Sequence, residues 1–78
     1  MKKMTELVAA IARSLVDDPD AVEVTEEKDG NETVIKLKVA SDDMGKVIGK
    51  QGRIAKAIRT VVKAAATKAG DKVTVEIV

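Results

Sequence analysis

The stretch MGKVIGKQGRIAKAIR, Met44 to Arg59, decides how this chain reads. It interleaves three glycines with five lysines or arginines and then settles into a helical pattern. Gly49 and Gly52 stand three apart among apolar residues, although a glycine weakens a helix by about 1 kcal/mol relative to alanine. A phosphate is the ligand that makes such a loss worthwhile, because backbone N–H groups reach its oxygens closely where no β-carbon obstructs them. The loop also leads into the start of a helix, where unpaired N–H groups and the positive end of the dipole attract an anion. Lys50 lies inside the loop and Arg53 just after it, both suited to charge-assisted contacts. Lys46 and Lys56 lie about one turn away on either side, and Ile48 and Ile54 bracket the loop with aliphatic surface.

Two common phosphate loops are excluded. The nucleotide P-loop requires G-x-x-x-x-G-K-[ST] after a strand. Here three residues separate Gly45 from Gly49, Gln51 stands where the hydroxyl belongs, and the preceding segment reads as helix. The dinucleotide fingerprint G-x-G-x-x-G is absent. A glycine loop between two helices is a different device.

Outward from the loop, periodicity assigns the remaining elements. Thr5 is placed to cap a first helix running to about Val16, with Leu7, Val8, Ile11 and Leu15 on one face and residues 1–4 set aside as a disordered N-terminus. DDPD, Asp17 to Asp20, ends it, since Pro19 cannot continue the ladder. Ala21 to Lys28 and Glu32 to Ala40 alternate as strands around the turn signal Asp29–Asn31. Val22 and Val24 point inward from the first strand, and Ile35, Leu37 and Val39 from the second. Ser41, Asp42 and Asp43 suit the start of a short helix, Asp43 to Ile48, whose buried side is Met44, Val47 and Ile48.

A third helix is predicted from Arg53 to about Ala69. Ile54, Ile58, Val61, Val62 and Ala65 form its apolar face, opposite Lys56, Arg59 and Lys63. Gly70 stops it, and Lys72 to Val78 forms a last strand burying Val73, Val75 and Ile77. The order is α-β-β-α-α-β. Its fold class is α+β, a three-stranded mixed sheet with three helices packed on one face.

Composition narrows the function. The 78 residues make one small domain, 1–78, and contain no Phe, Trp, Tyr, His or Cys. Disulfides, thiolate metal sites and the usual general base are thereby excluded, so no catalytic residues, metal or cofactor are expected. The opening MKKMTELVAA lacks the apolar run of a signal peptide, and no stretch is long enough to span a membrane. A cytoplasmic, non-enzymatic domain is the expectation.

The net charge of +1 conceals a segregation. Asp17 to Glu32 holds eight acidic residues and one basic residue, Lys28, whereas Met44 to Gly70 holds seven basic residues and none acidic. A basic half built around a glycine loop suits a polyanionic partner. The acidic stretch then serves solubility and repels such a polyanion from the wrong surface. Lys36 and Lys38 are placed to pair across strands with Glu23, Glu27 or Glu76, and Arg59 and Lys63 read as a solvated face.

VIGKQGR, Val47 to Arg53, set between two helices, resembles the GxxG loop of a KH domain. The Ile-Gly-x-x-Gly-Arg run, the basic amphipathic helix after it and the α-β-β-α-α-β order are together similar to a type II KH domain. A chain that is one such domain resembles the small bacterial RNA-binding proteins of the KhpA family, from about Thr5 to Val78. One position departs: KH helices commonly carry Ile or Leu three residues after the second glycine, where this chain has Ala55.

The resemblance implies a clamp for about four nucleotides of single-stranded RNA. Gly49, Lys50, Gln51 and Gly52 would hold the sugar–phosphate backbone, with Lys46, Arg53 and Lys56 alongside. Bases would lie in an aliphatic groove made by Val47, Ile48 and Ile54 with the edge of the second strand, Leu37 to Val39. Without aromatic stacking, affinity is expected at micromolar or poorer, about −8 kcal/mol or less in magnitude, with little sequence preference. An RNA chaperone or post-transcriptional regulator fits that profile. The resemblance further implies homodimerisation and a larger KhpB-like, KH-containing partner. The small side chains of Lys63–Gly70 suit close helix approach, or packing on their own core. The alternative function is a protein-interaction or dimerisation module that docks an acidic protein instead of RNA.

Overall fold

The computed structural model describes residues 2–78. Helix α1 (Lys2–Leu15) is followed by strands β1 (Glu23–Asp29) and β2 (Glu32–Lys38), helices α2 (Met44–Ile48) and α3 (Arg53–Lys68), and strand β3 (Lys72–Ile77). The order is the α-β-β-α-α-β expected for a type II KH arrangement. β1 and β2 form an antiparallel hairpin in which Asp29 opposes Glu32, so the turn is the two residues Gly30–Asn31. β3 returns parallel to β2, with Ile35 opposite Val75 and Leu37 opposite Ile77. The sheet order β1-β2-β3 therefore makes β2 the central strand.

Alternation explains how the sheet is covered. Thr33, Ile35 and Leu37 face the helices and are buried, together with Val75 of β3. The other face of the sheet carries charged residues set opposite one another: Glu23 opposes Lys38, Lys36 opposes Glu76, and the Lys36 ammonium lies 3.2 Å from Glu27. From the helical side, Val8 and Ala12 of α1, Val47 of α2 and Ile58 and Val62 of α3 close the core. This core is wholly aliphatic.

Several expectations are corrected by the packing. α1 begins at Lys2 and not at Thr5, because Lys2, Lys3 and Met4 all favour helix and Met4 packs against the core. The expectation of disorder over residues 1–4 otherwise falls on Met1, outside the described residues. Ser41–Asp43 forms a 3-10 turn ahead of α2, and Asp43 is buried instead of serving as an exposed first-turn acid. On α3 the buried stripe is Ala55, Ile58, Val62 and Ala66, of which Ile58 and Val62 join the core shared with the sheet. Val61 is 48% exposed, because it lies one residue around the helix on the side towards α1. Ile48, expected inside, is 36% exposed at the end of α2.

Candidate nucleic-acid interface

The glycine loop is built from inside the protein. At Gly49 the backbone adopts φ 75° and ψ 177°, a region essentially restricted to glycine. A β-carbon there would stand 2.6 Å from Cγ1 of Ile54 and 2.9 Å from its Cδ1. The space at Gly49 is thus claimed by Ile54 from within, and an approaching phosphate is not what excludes the side chain. Gly52 differs: it is left-handed, with φ 73° and ψ 15°, and nothing lies within 4 Å of the place its β-carbon would occupy. Gln51 between them is also left-handed, at φ 58°.

Hydrogen bonding decides which amides the loop can offer. Gly49 N–H donates to Gly45 O at 2.9 Å, Gly52 N–H to Gly49 O at 3.2 Å, and Arg53 N–H to Lys50 O. Lys50–Gly52 is accordingly a 3-10 turn fused to the start of α3. This turn uses amides that an open helix N-terminus would have exposed. The remaining N–H groups at the head of the segment belong to Lys50 and Gln51, where helix geometry supplies no acceptor. Both side chains are exposed, and Arg53 Nη2 donates to Gln51 Oε1 at 3.3 Å.

The sequence-expected site residues are brought together unequally. Gly49, Lys50, Gln51, Gly52 and Arg53 form one protruding turn, and Lys56 is exposed one helical turn beyond Gly52. Ile54 is half-buried beneath Gly49. Val47 is completely buried, so it supports α2 from below and lines no open surface. Lys46 is drawn away from the loop: its ammonium pairs with the Asp17 carboxylate and lies 3.6 Å from Asp43 Oδ1. The hydrogen bond to Asp17 holds the Lys46 pKa above its ordinary value, helped by the charges of both carboxylates against the desolvation of the ammonium.

Asp43 anchors this corner. Its two carboxylate oxygens accept from Asp17 N–H at 3.3 Å and Asp18 N–H at 3.1 Å. Burial pushes the carboxyl pKa up, but these amides and the Lys46 ammonium outweigh it, and the group titrates below the usual carboxylate range. The turn after α1 is thereby tied to the start of α2.

The groove expected along the edge of β2 does not exist, because β2 is central and flanked on both sides. Leu37 is fully buried and Val39 is 6% exposed. The open trough lies instead between α3 and the outer edge of β3, with a volume of about 440 Å³. Arg59, Lys63, Ala66 and Thr67 form one wall, Lys72 to Val75 the other, and Glu32 and Asp71 complete the lining.

The edge of β3 carries hydrogen-bonding groups into that trough. Val78 N–H donates to Leu37 O, so the alternate residues Val73, Val75 and Ile77 turn their backbone groups outward. Arg59 Nε donates to the outward carbonyl of Val75 at 3.2 Å. Arg59 and Lys63, read from the sequence as a solvated face, are therefore walls of the trough. Their 3.6-residue spacing continues back through Lys56 to Gly52, forming a basic stripe that joins the trough to the glycine loop. The signal that could have found them is this shared stripe, since Gly52, Lys56, Arg59 and Lys63 recur at three- and four-residue intervals.

Comparison with known proteins agrees with this architecture. Residues 5–77 match the family described as KhpA/KhpB, KH domain. This chain belongs to the KhpA/KhpB KH-domain family. A protein of Caldanaerobacter subterraneus subsp. tengcongensis named RNA-binding protein KhpA is 64% identical over 75 residues, covering 96% of this chain and 100% of that one. Its namesake in Clostridium perfringens is 63% identical over the same 96% of this chain and 100% of its own. The Treponema pallidum protein of that name is 48% identical over 73 residues, 94% of this chain and 91% of its own.

Among solved structures, a point variant of Aquifex aeolicus Era bound to GDP.AlF4- superimposes with a TM-score of 0.63 at 23% identity. The match covers 95% of this chain but 29% of the Era chain, and it speaks for the fold alone. Ala55, where an Ile or Leu was expected, is 4% exposed, so the position holds a small and buried side chain. Among the described residues, no cluster of acidic side chains is arranged to hold a metal ion, and no helix is long and apolar enough to cross a membrane.

Proposed function

We propose that this chain binds single-stranded RNA in the cytoplasm, holding the backbone at Lys50–Gly52 and laying bases along the trough between α3 and β3. The observation that carries the reading is the continuity of loop, basic stripe and trough. The exposed amides of Lys50 and Gln51 and the side chains of Lys50 and Arg53 grip phosphates at one end. Lys56 and Arg59 accompany the strand along α3, and the outward groups of β3 meet base edges at the other. From Gly52 to Lys63 the helix rises about 16 Å, a span of about three to four nucleotides. The relatives named as RNA-binding proteins support this assignment.

The absence of aromatic side chains sets the strength. Base–aromatic stacking contributes about 1–3 kcal/mol per base where it occurs, and none is available here. Binding is micromolar or weaker, with limited sequence preference, which suits an RNA chaperone or post-transcriptional regulator acting on many transcripts. Avidity through a second copy or a larger KhpB-like partner would raise it.

Replacing Lys50 and Gln51 together by Asp tests the clamp. Both side chains are exposed, so the thermal transition is expected to stay where it is, while fluorescence anisotropy shows loss of binding to short RNA. Undiminished binding would refute the clamp. Two to four phosphate contacts also require a log–log salt slope of about −1.4 to −2.8.

A second reading, a dimerisation module, rests on one surface. Ile11 and Leu15 of α1 and Ile54, Ala57, Ile58 and Val61 of α3 enclose an apolar hollow of about 310 Å³ with Arg53 at its rim. A second copy of the chain is the occupant this reading requires. Sedimentation of the wild type and Val61→Asp decides it: a dimer lost in the variant supports the reading, and a monomeric wild type excludes it.

A further inference from the structure

We propose that Arg59 reads a guanine base in the trough between α3 and β3, a role that rests on the RNA-binding assignment above and adds a base preference to it. The starting observation is the hydrogen bond from Arg59 Nε to the Val75 carbonyl at 3.2 Å. That bond fixes the guanidinium against the edge strand. It consumes the Nε donor and leaves the two terminal nitrogens, which make no other hydrogen bond or ion pair among the described residues. An end-on guanidinium presents two parallel N–H donors, a fork that matches two adjacent acceptors on one edge.

Base chemistry then selects. Guanine offers O6 and N7 side by side, and arginine bidentate to that pair is the commonest specific contact to a base. Adenine places its N6 amino donor beside N7 and cannot accept both bonds. Uracil lacks an adjacent acceptor pair, because N3–H stands between its two carbonyls. Cytosine sets O2 beside N3 but has no second edge carrying two donors.

That second edge matters because of the remaining lining of the trough. Glu32 and Asp71 border it, and their carboxylates disfavour a phosphate there while accepting from the N1–H and N2 amino donors on guanine's other edge. Guanine alone among the four bases presents two acceptors on one edge and two donors on another.

The experiment measures anisotropy of fluorescein-labelled uridine hexamers containing no guanosine, one guanosine, or one 7-deazaguanosine. Each is titrated with the wild-type chain, Arg59→Lys and Arg59→Gln. The wild type is expected to prefer the guanosine hexamer by about tenfold, in line with one good bidentate contact. Removing N7 alone is expected to erase most of that preference. Both variants are expected to bind all three hexamers with ratios near one, because lysine has a single point of charge and glutamine no fork.

A wild type that binds the three hexamers equally overturns the guanine assignment while leaving the clamp intact. A wild type that binds none of them overturns both. A 7-deaza penalty that persists in Arg59→Gln also overturns it, by showing that N7 is read by another group. If Arg59→Gln loses its fold, Arg59→Lys, which keeps the charge and the aliphatic stem, carries the same comparison: a 7-deaza penalty that persists in it overturns the assignment.

Discussion

Gly49→Ala is the perturbation most directly determined by the geometry. A β-carbon at this position would meet Ile54 Cγ1 at 2.6 Å, Cδ1 at 2.9 Å and Cβ at 3.0 Å, against about 3.5–4.0 Å for relaxed carbon contacts. The backbone adds to the cost, since φ 75° with ψ 177° is held by non-glycine residues only at about 1–3 kcal/mol. Pushing Ile54 aside in a packed surround costs about another 1–3 kcal/mol. The sum, about 2–6 kcal/mol, is a large share of the about 4–12 kcal/mol that a domain of this size has in total. Gly52→Ala is the control, because its β-carbon enters open space and only the left-handed backbone resists it, at about 1–2 kcal/mol.

Thermal and urea unfolding of the two variants should therefore differ, with Gly49→Ala melting at least about 5 °C lower than Gly52→Ala. Ile54→Ala supplies the decisive comparison, since it removes Cγ1 and Cδ1, the two closest atoms. In that background Gly49→Ala should cost about 1–3 kcal/mol less than in the wild type. Equal costs in both backgrounds, or a Gly49→Ala variant as stable as Gly52→Ala, would refute the claim that Ile54 dictates the glycine.

Three further outcomes are expected. Because its amide and Lys46 contacts hold Asp43's pKa below that of the unfolded chain, Asp43 contributes stability above the unfolded value of about 4 and loses it as pH falls through the folded value. Asp43→Asn should be less stable than wild type at neutral pH and should flatten the acid limb of stability against pH; parallel curves would contradict this. Lys56→Gln should reduce the salt slope of RNA binding by about 0.7, the share of one phosphate contact on a single strand, and an unchanged slope would remove Lys56 from the interface. Lys46→Met should disturb stability more than RNA affinity, because the ammonium is engaged by Asp17 and Asp43; the reverse ranking, from unfolding and anisotropy, would return Lys46 to the loop.

The element order was readable in the sequence because each element has a clear period, two along Ile35, Leu37 and Val73, Val75, and near 3.6 along α1 and α3. The glycine loop was readable too, as a break between two helical patterns. The trough between α3 and β3 was not. Alternation tells which face of a strand is buried but is silent on which neighbour lies beside it, so the central place of β2 and the free edge of β3 could not be foreseen. The placement of Arg59 was hidden as well, since the bond that holds its side chain goes to a carbonyl 16 residues away. Asp43 looked like a first-turn acid until its partners proved to be amides 25 and 26 residues earlier in the chain. The one-residue rotation that buries Ala55 and Ala66 and exposes Val61 reflects where the sheet sits, which apolar spacing alone leaves undetermined.

The contact between Gly49 and Ile54 has a kinetic consequence. A turn seated on the hydrophobic interior keeps its shape before any ligand arrives, so little ordering is charged to the encounter. For the proposed RNA clamp, association is then expected at about 10⁶–10⁷ M⁻¹s⁻¹. At the expected dissociation constant of about 1 μM, a bound strand would depart within about a second. Brief residence of this kind lets one molecule visit many strands in turn and leave none of them occupied for long.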